Sequence, residues 1–419
     1  MNPVKHPLLG DTLYTETHKS GLRVVVWPMP EASSVYAVFA TKYGSINNIL
    51  PTADGGTEEV PEGIAHYLEH KLFESEQGDA FRQFAQTGAS ANAYTTFDRT
   101  AYLFHASENI LPSLEILLNF VQDPYFTPET VQKEQGIIGQ AIRMSEDMPG
   151  RRVLFNMLGG LFHNHPVRVD IAGTVESIAK ITPELLYRCY YRHYNLHNMV
   201  LVVAGCIKPE EVMDACDRLL KPAEAWEPDH YVVEEPATVA QEYVEDAMAV
   251  AAPLFYIGFK EPVVSHTPKT LAGARMLIDL ICGKSSPLYS RLLEEGLIND
   301  QFEVEYFGGP DYGIWLFGGE SADPKRVKDM IADEIARLQQ EGLDAAAVEA
   351  VRRGAYGRLV AGLDDPSDCG ELILSHLVDG VEPLSELNAL AEITLDELTE
   401  QLHARFDVKA CTLSVVNPL

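Results

Sequence analysis

Along the first half of the chain the spacing of apolar residues switches between a period of two and a period near 3.6, and each switch marks an element. Thr12–Thr17 and Leu22–Pro28 flank a turn at His18–Gly21 and predict a hairpin, with Val35–Lys42 as a third strand. A loop rich in Pro, Gly and acid follows, over Pro51–Gly63. Apolar positions at Ile64, Leu68 and Leu72 then predict a helix from about Ile64 to Phe73. Ala80–Gln86 predicts a further helix and Thr100–His105 a strand. Three amphipathic helices are expected over Leu111–Val121, Pro128–Met144 and Arg152–Leu161. The second is the best marked, because Thr127, Pro128 and Glu129 suit its cap and first two positions. Pro183–Tyr191 predicts a helix and Met199–Ala204 a strand.

From Pro222 to Asp246 the periodicity is lost in a stretch rich in Pro, Glu and Ala, which predicts a linker between domains at 1–221 and 247–419. Beyond it the order of elements repeats. Leu254–Lys260 predicts a strand, Thr270–Ile281 and Leu288–Leu297 helices, and Glu303–Phe307 with Tyr312–Gly318 a strand pair. Long helices over Pro324–Gln339 and Ala345–Ala361 and a closing strand at Thr412–Asn417 complete the half. The offset is roughly 215 residues, as expected of a duplicated domain. Hairpins outnumber strand–helix–strand crossovers. The expected class is therefore α+β, with two homologous domains, each an antiparallel-rich sheet with helices packed on one face.

Composition narrows the partners. A chain of 419 residues exceeds the roughly 250–300 at which single cores stop growing, in keeping with two domains. Its 62 acidic against 32 basic residues give a formal charge of −30, which repels phosphate backbones and anionic lipid. Nucleic-acid and membrane partners are thus not expected, and no apolar run approaches the ~20 residues that span a bilayer. Met1–Tyr14 lacks the apolar stretch of a signal peptide. The six cysteines form no CxxC pair, neither a disulfide framework nor a zinc ribbon. The expected setting is the reducing cytoplasm.

Candidate chemistry is concentrated in the helix after the acidic loop, which carries His66-Tyr67-Leu68-Glu69-His70. Residues four apart stack on one helix face, so His66 and His70 can offer two imidazoles to one ion, a pairing that suits zinc. Glu69 lies at the edge of that face, where it could hold a metal-bound water and take its proton. An HxxEH string should arise by chance in only about 3 of 100 chains of this composition. A catalytic zinc also needs a third protein ligand. The helix Pro128–Met144 is the candidate to carry it, with Glu134 facing the same side as position 141, which is Ala141.

These segments resemble the pitrilysin-type inverzincin metallopeptidases, the family of insulin-degrading enzyme and the mitochondrial processing peptidases. Gly63-Ile64-Ala65-His66-Tyr67-Leu68-Glu69-His70-Lys71-Leu72-Phe73 is similar to the motif helix. Gly88–Thr95, with Thr100 and Tyr102, resembles the family's edge strand, and Lys133–Gln140 its third-ligand helix. Asn164-His165-Pro166 and Ile171-Ala172-Gly173-Thr174 resemble the loop that follows. The resemblance implies zinc binding by His66 and His70, general-base action by Glu69 and a carboxylate near the site from Glu134. It implies that Asn92 and Ala93 hold the backbone of a peptide substrate by strand addition.

Two departures bear on activity. The family's third ligand, a glutamate seven residues after the Glu134 position, is replaced by Ala141, so zinc binding and turnover are expected to be impaired. Three origins fit: an engineered or recent inactivating change, a natural non-catalytic subunit, or recruitment of Glu134 or Glu146 in its place. In the C-terminal half the family's Arg and Tyr, which bind the substrate carbonyl, are matched by Arg291 but not by Ile298. Relatives of this length pair into a closed clamshell, so the resemblance implies a homologous partner subunit, in a heterodimer or a homodimer. Other signals point to no further chemistry. Gly283-Lys284-Ser285 lacks the glycine a phosphate loop needs, because Ile278 stands there, and His163 and His165 read as solvated or turn-capping residues.

Overall fold

Runs of β-branched and aromatic residues, buried on both sides, set the inner strands of the two main sheets. The computed structural model describes residues 1–419 apart from 53, 77, 229, 230, 232 and 263. Its first half holds strands β1 (Asn2–Lys5), β2 (Thr12–Thr17), β3 (Arg23–Pro28) and β4 (Val35–Thr41). Two short ribbons follow, β5 (Ile49–Pro51) with β6 (Thr57–Glu59) and β7 (Glu74–Ser75) with β8 (Gly78–Asp79). Next come β9 (Ser90–Thr95), β10 (Thr100–Ala106) and β11 (Met199–Gly205). The helices of this half are α1 (Ile64–Leu72), α2 (Ala80–Thr87), α3 (Ile110–Phe120), α4 (Pro128–Glu146), α5 (Pro149–Leu161), α6 (Val175–Ile178), α7 (Pro183–His193) and α8 (Pro209–Leu219). The second half contains β12 (Tyr243–Met248), β13 (Leu254–Lys260), β14 (Glu303–Gly309), β15 (Tyr312–Glu320) and β16 (Cys411–Pro418). Its helices are α9 (Pro268–Cys282), α10 (Pro287–Glu294), α11 (Pro324–Glu341), α12 (Ala345–Gly362), α13 (Pro366–Val378), α14 (Ser385–Glu392) and α15 (Leu395–Arg405).

The first sheet runs β1-β2-β3-β11-β4-β10-β9, antiparallel throughout except for the β3–β11 pair. The second runs β12-β16-β13-β15-β14, with β12–β16 parallel and the rest antiparallel. The duplication is plain in these orders: β11-β4-β10-β9 reappears as β16-β13-β15-β14, and α3–α5 as α11–α13. On one face of the first sheet Val24, Val26, Val35, Ala37 and Phe39 form a continuous core with Leu68 of α1, Leu117 of α3 and Leu186 of α7. Phe255, Ile257, Phe259, Trp315 and Phe317 do the same in the second, against α9, α11 and α15. Each such fully buried side chain contributes roughly 1.5–3 kcal/mol.

Two compact units result. One comprises Met1–Ile142, Asp170–Tyr231 and Ala361–Leu384, the other Arg143–Val169, Val232–Val360 and Ser385–Leu419. The first unit therefore takes α13 from late in the chain, and the second takes its counterpart α5 from the first half. Strand alternation puts Tyr36 on the face opposite Val35 and Ala37, and α13 packs there, against β4 and β11. In the second unit α5 covers the Gly258 face of the sheet, where a Cβ at 258 would lie 2.6 Å from Leu161. Beyond the expected helical layer, each sheet thus carries one more helix on its other face.

Pattern reading leaves Pro366–Arg405 without elements, yet α13–α15 lie there. Seven residues of α13 are buried, so it shows no single apolar stripe. Helix α5 begins earlier than expected because Met148 takes an extended conformation and Pro149 suits the first turn. Residues 229, 230 and 232 of the expected linker lie outside the described residues. The described part of 222–242 has no helix or strand, and β12 begins at Tyr243.

Candidate active site

Helix α1 is launched from a tight junction. Gly63 before it has φ 86°, and a Cβ there would lie 2.3 Å from the Ala172 carbonyl oxygen. Gly173 has φ +70°, and its Cβ would lie 2.4 Å from the Glu62 carbonyl oxygen. Only glycine lets the two backbones approach so closely at these angles. Ile64, Ala65, Tyr67, Leu68, Lys71 and Leu72 turn into the first unit, and Tyr67 Oη donates to the Val131 carbonyl of α4, tying the two helices together. The remaining face presents His66 and His70, both half-buried, with ring centroids 4.6 Å apart and planes at 69°.

Helix α4 brings Glu134 to this face, where Glu134 Oε1 lies 3.1 Å from His70 Nδ1. Glu69 is 9% exposed, and Thr95 Oγ1, at the end of β9, donates to its Oε2 at 2.8 Å. Behind Thr95, Thr100 Oγ1 donates to the Tyr43 carbonyl at 2.8 Å, and the buried hydroxyls of Tyr102 and Tyr194 are 2.8 Å apart.

The electrostatics follow from burial and these bonds. Burial raises the Glu69 carboxyl above its ordinary range, against the opposing pull of Thr95 and His70. At His70 burial works downward, but the Glu134 bond and the Glu69 and Glu134 charges outweigh it and raise the imidazole. Glu134 is lowered, its burial overcome by His70, Lys71 and Lys133. A carboxylate raised towards neutrality and pinned by one oxygen suits proton abstraction.

The set falls one ligand short of a catalytic zinc centre. Ala141 lies exposed on α4, two turns beyond Glu134, and its methyl group cannot coordinate a metal. Among the described residues no three His, Cys, Asp or Glu side chains come together in a way that could hold a metal ion. The chain's own residues therefore supply the imidazole pair and its carboxylate neighbour, but not the three protein ligands such a site requires.

Asn92 and Ala93 stand on β9, the edge strand of the first sheet; strand alternation puts Ala93 on the face that carries Thr95 and Asn92 on the opposite one. Asn92 is exposed, and its Oδ1 accepts from the Ala93 amide at 2.9 Å. Arg291 belongs to the second unit, where it is exposed on α10 with Nε 3.1 Å from Glu295 Oε1, and Ile298 is buried in that unit's core. His165 is a turn cap: its Nδ1 accepts from the Val167 amide at 3.1 Å, and Nε2 lies 3.0 Å from Asp311 Oδ1. Thr95 could be found in the sequence only as part of the edge-strand resemblance, and nothing in its own spacing marked it as the partner of Glu69.

The HxxEH helix, the accompanying carboxylate helix and the duplicated α+β unit together place the chain with the peptidases. Residues 54–175 match the family described as Insulinase (Peptidase family M16), and residues 180–355 match Peptidase M16 inactive domain. The chain is 36% identical to the uncharacterized zinc protease YmfH of Bacillus subtilis (strain 168), over 100% of this chain and 99% of that protein. It superposes with a TM-score of 0.93 and 34% identity on the crystal structure of an M16-like peptidase from Alicyclobacillus acidocaldarius, covering 99% of this chain and 100% of that one. Pitrilysin shares the fold at a TM-score of 0.76 and 16% identity, with 99% of this chain matching 46% of its own. The chain belongs to peptidase family M16.

Proposed function

We propose that the chain is an inverzincin-type metalloendopeptidase subunit that holds extended peptides against the outer edge of β9, and that Ala141 leaves it with little or no turnover. In this reading His66 and His70 are zinc ligands, Glu69 is the general base and Glu134 orients His70. Asn92 and Ala93 pair with peptide backbone, which selects extended chains more than particular sequences. The observation that carries the proposal is the organised state of the set. Glu69 is held by Thr95 and His70 by Glu134, an arrangement a solvated helix face has no reason to keep.

Ala141 favours a second reading, a non-catalytic peptide-binding subunit of a peptidase assembly. Either way a homologous partner belongs to the proposal, in a heterodimer or a homodimer. Arg291 would supply only half of an oxyanion-binding pair, since Ile298 takes the tyrosine position, and the chain matches less than half of pitrilysin's length. A cytoplasmic setting, which is reducing, accords with the six free thiols.

Zinc stoichiometry and cleavage of a quenched fluorescent peptide, measured for the chain and for Ala141→Glu, decide between the readings. The peptidase reading expects Ala141→Glu to bind one zinc and to cleave once a partner subunit is present. Peptide binding in both proteins without cleavage in either, with and without candidate partners, would leave the non-catalytic reading.

A further inference from the structure

The face of the first sheet opposite α1 carries a second organised carboxylate. Glu371 of α13 accepts from two tyrosines: Tyr36 Oη of β4 donates to its Oε1, and Tyr94 Oη of β9 donates to its Oε2 at 2.6 Å. The two tyrosines stand on strands separated by β10, so a single carboxylate bridges from an inner strand to the edge. The helix can come this close because its neighbouring residue is Gly370, where a Cβ would lie 2.5 Å from the Tyr36 ring. Burial, and then the adjacent carboxylate, push both phenols far above their ordinary range, which keeps each a donor.

The position of Tyr94 gives the bridge its meaning. It directly precedes Thr95, and successive strand residues point to opposite faces. Tyr94 is therefore tied to α13 on one side of the sheet, while Thr95 is tied to Glu69 on the other. An edge strand has a hydrogen-bonded neighbour on one side only, so side-chain ties weigh more in fixing it than they do for an inner strand.

We propose that Glu371, contributed by the C-terminal half of the chain, is a positioning residue that holds β9 in place for peptide docking and, through Thr95, sets the Glu69 carboxylate. The docking role rests on the function proposed above; the tie between α13 and β9 does not.

The test uses the full chain, with Glu371→Ala, Glu371→Gln and Tyr94→Phe. Backbone hydrogen exchange is followed over residues 90–95 and, as a reference, over β11. Affinity is measured in parallel for a fluorescein-labelled extended peptide without added metal. Glu371→Ala and Tyr94→Phe should speed exchange in β9 by about tenfold while leaving β11 unchanged, and should weaken the peptide several-fold. Glu371→Gln, which keeps an amide oxygen as acceptor, should fall between them and the unaltered chain. Unchanged exchange in β9, or an equal rise across the whole sheet, would overturn the proposal. If the unaltered chain binds no peptide, the proposed function fails, and the exchange measurement still decides the role of Glu371. If Glu371→Ala does not fold, Tyr94→Phe, which removes one hydroxyl, carries the test.

Discussion

Glu134 Oε1 lies 3.1 Å from His70 Nδ1, so the carboxylate selects the tautomer protonated on Nδ1 and leaves the Nε2 lone pair available. Carboxylates in this position raise the basicity of a ligating imidazole and fix its orientation. Placing a carboxylate at 141 should raise zinc affinity well above that of the unaltered chain. In that Ala141→Glu protein, Glu134→Ala should then lower zinc affinity by roughly 10–100-fold. Calorimetric titration with zinc reads both effects. Equal affinity with and without Glu134 would remove it from the site.

Thr95 holds one oxygen of Glu69 and leaves the other available to a proton donor. On the proposed function, Thr95→Val in the Ala141→Glu protein, assayed with a candidate partner subunit, should lower kcat by about tenfold with little change in KM, because the proposed base loses its alignment while the docking strand keeps its backbone. Thr95→Ser, which keeps the hydroxyl, should retain most of the rate. A loss confined to KM would instead make Thr95 a residue of the docking edge alone.

What the sequence showed of this site and what it hid divide by distance along the chain. The α1 motif and the α4 cap at Thr127–Glu129 are local signals, with periodicity and capping chemistry contained within a few residues, and both lie where the pattern places them. The duplicated order was legible for the same reason. The Thr95–Glu69 bond joins residues 26 apart and the Tyr94–Glu371 bond residues 277 apart, separations over which one sequence carries no pairing signal. The placement of α5 and α13 in each other's units was hidden too, because a helix's apolar residues do not say which sheet they cover. Ile298 shows the limit from the other side. The sequence marked it as a missing tyrosine, and the fold uses it as core.

Glu235, in the second unit, holds the turn that follows α5. Lys260 Nζ donates to Oε1 at 2.6 Å and the His163 amide at 2.8 Å, while the Asn164 and His165 amides donate to Oε2 at 2.7 and 2.8 Å. Burial would raise this carboxyl, but Lys260 and the three amides overcome it and hold the group at about 2. A folded value below the unfolded one gives stability that is complete above about 4.3 and is lost as pH falls towards the folded value. Glu235→Gln should therefore lose on the order of 1–2 kcal/mol at neutral pH once solvent screening is allowed for. It should also flatten the fall of Tm between about pH 5 and pH 2, as followed by circular dichroism. A variant with an unchanged acid profile would show that the bonds to Glu235 contribute no stability.

Two glycines of the first unit, Gly173 at the junction before α1 and Gly136 inside α4, should respond to alanine in opposite ways. Gly173 combines a left-handed φ of +70° with a Cβ position 2.4 Å from the Glu62 carbonyl oxygen, and a backbone atom two residues before α1 cannot yield without moving the helix. Gly173→Ala should cost about 2–4 kcal/mol, the left-handed strain and the overpacking together. Gly136 lies inside α4, and a Cβ there would meet nothing within 4 Å. Gly136→Ala should stabilise by about 0.5–1 kcal/mol, since it reduces the freedom of the unfolded chain and introduces no clash. Urea unfolding of the two variants reads the difference. If the two substitutions prove equally costly, the close approach of Gly173 to Glu62 is not what fixes the start of α1, and the geometry of His66 and His70 must be set by the packing of Leu68 and Leu72 instead.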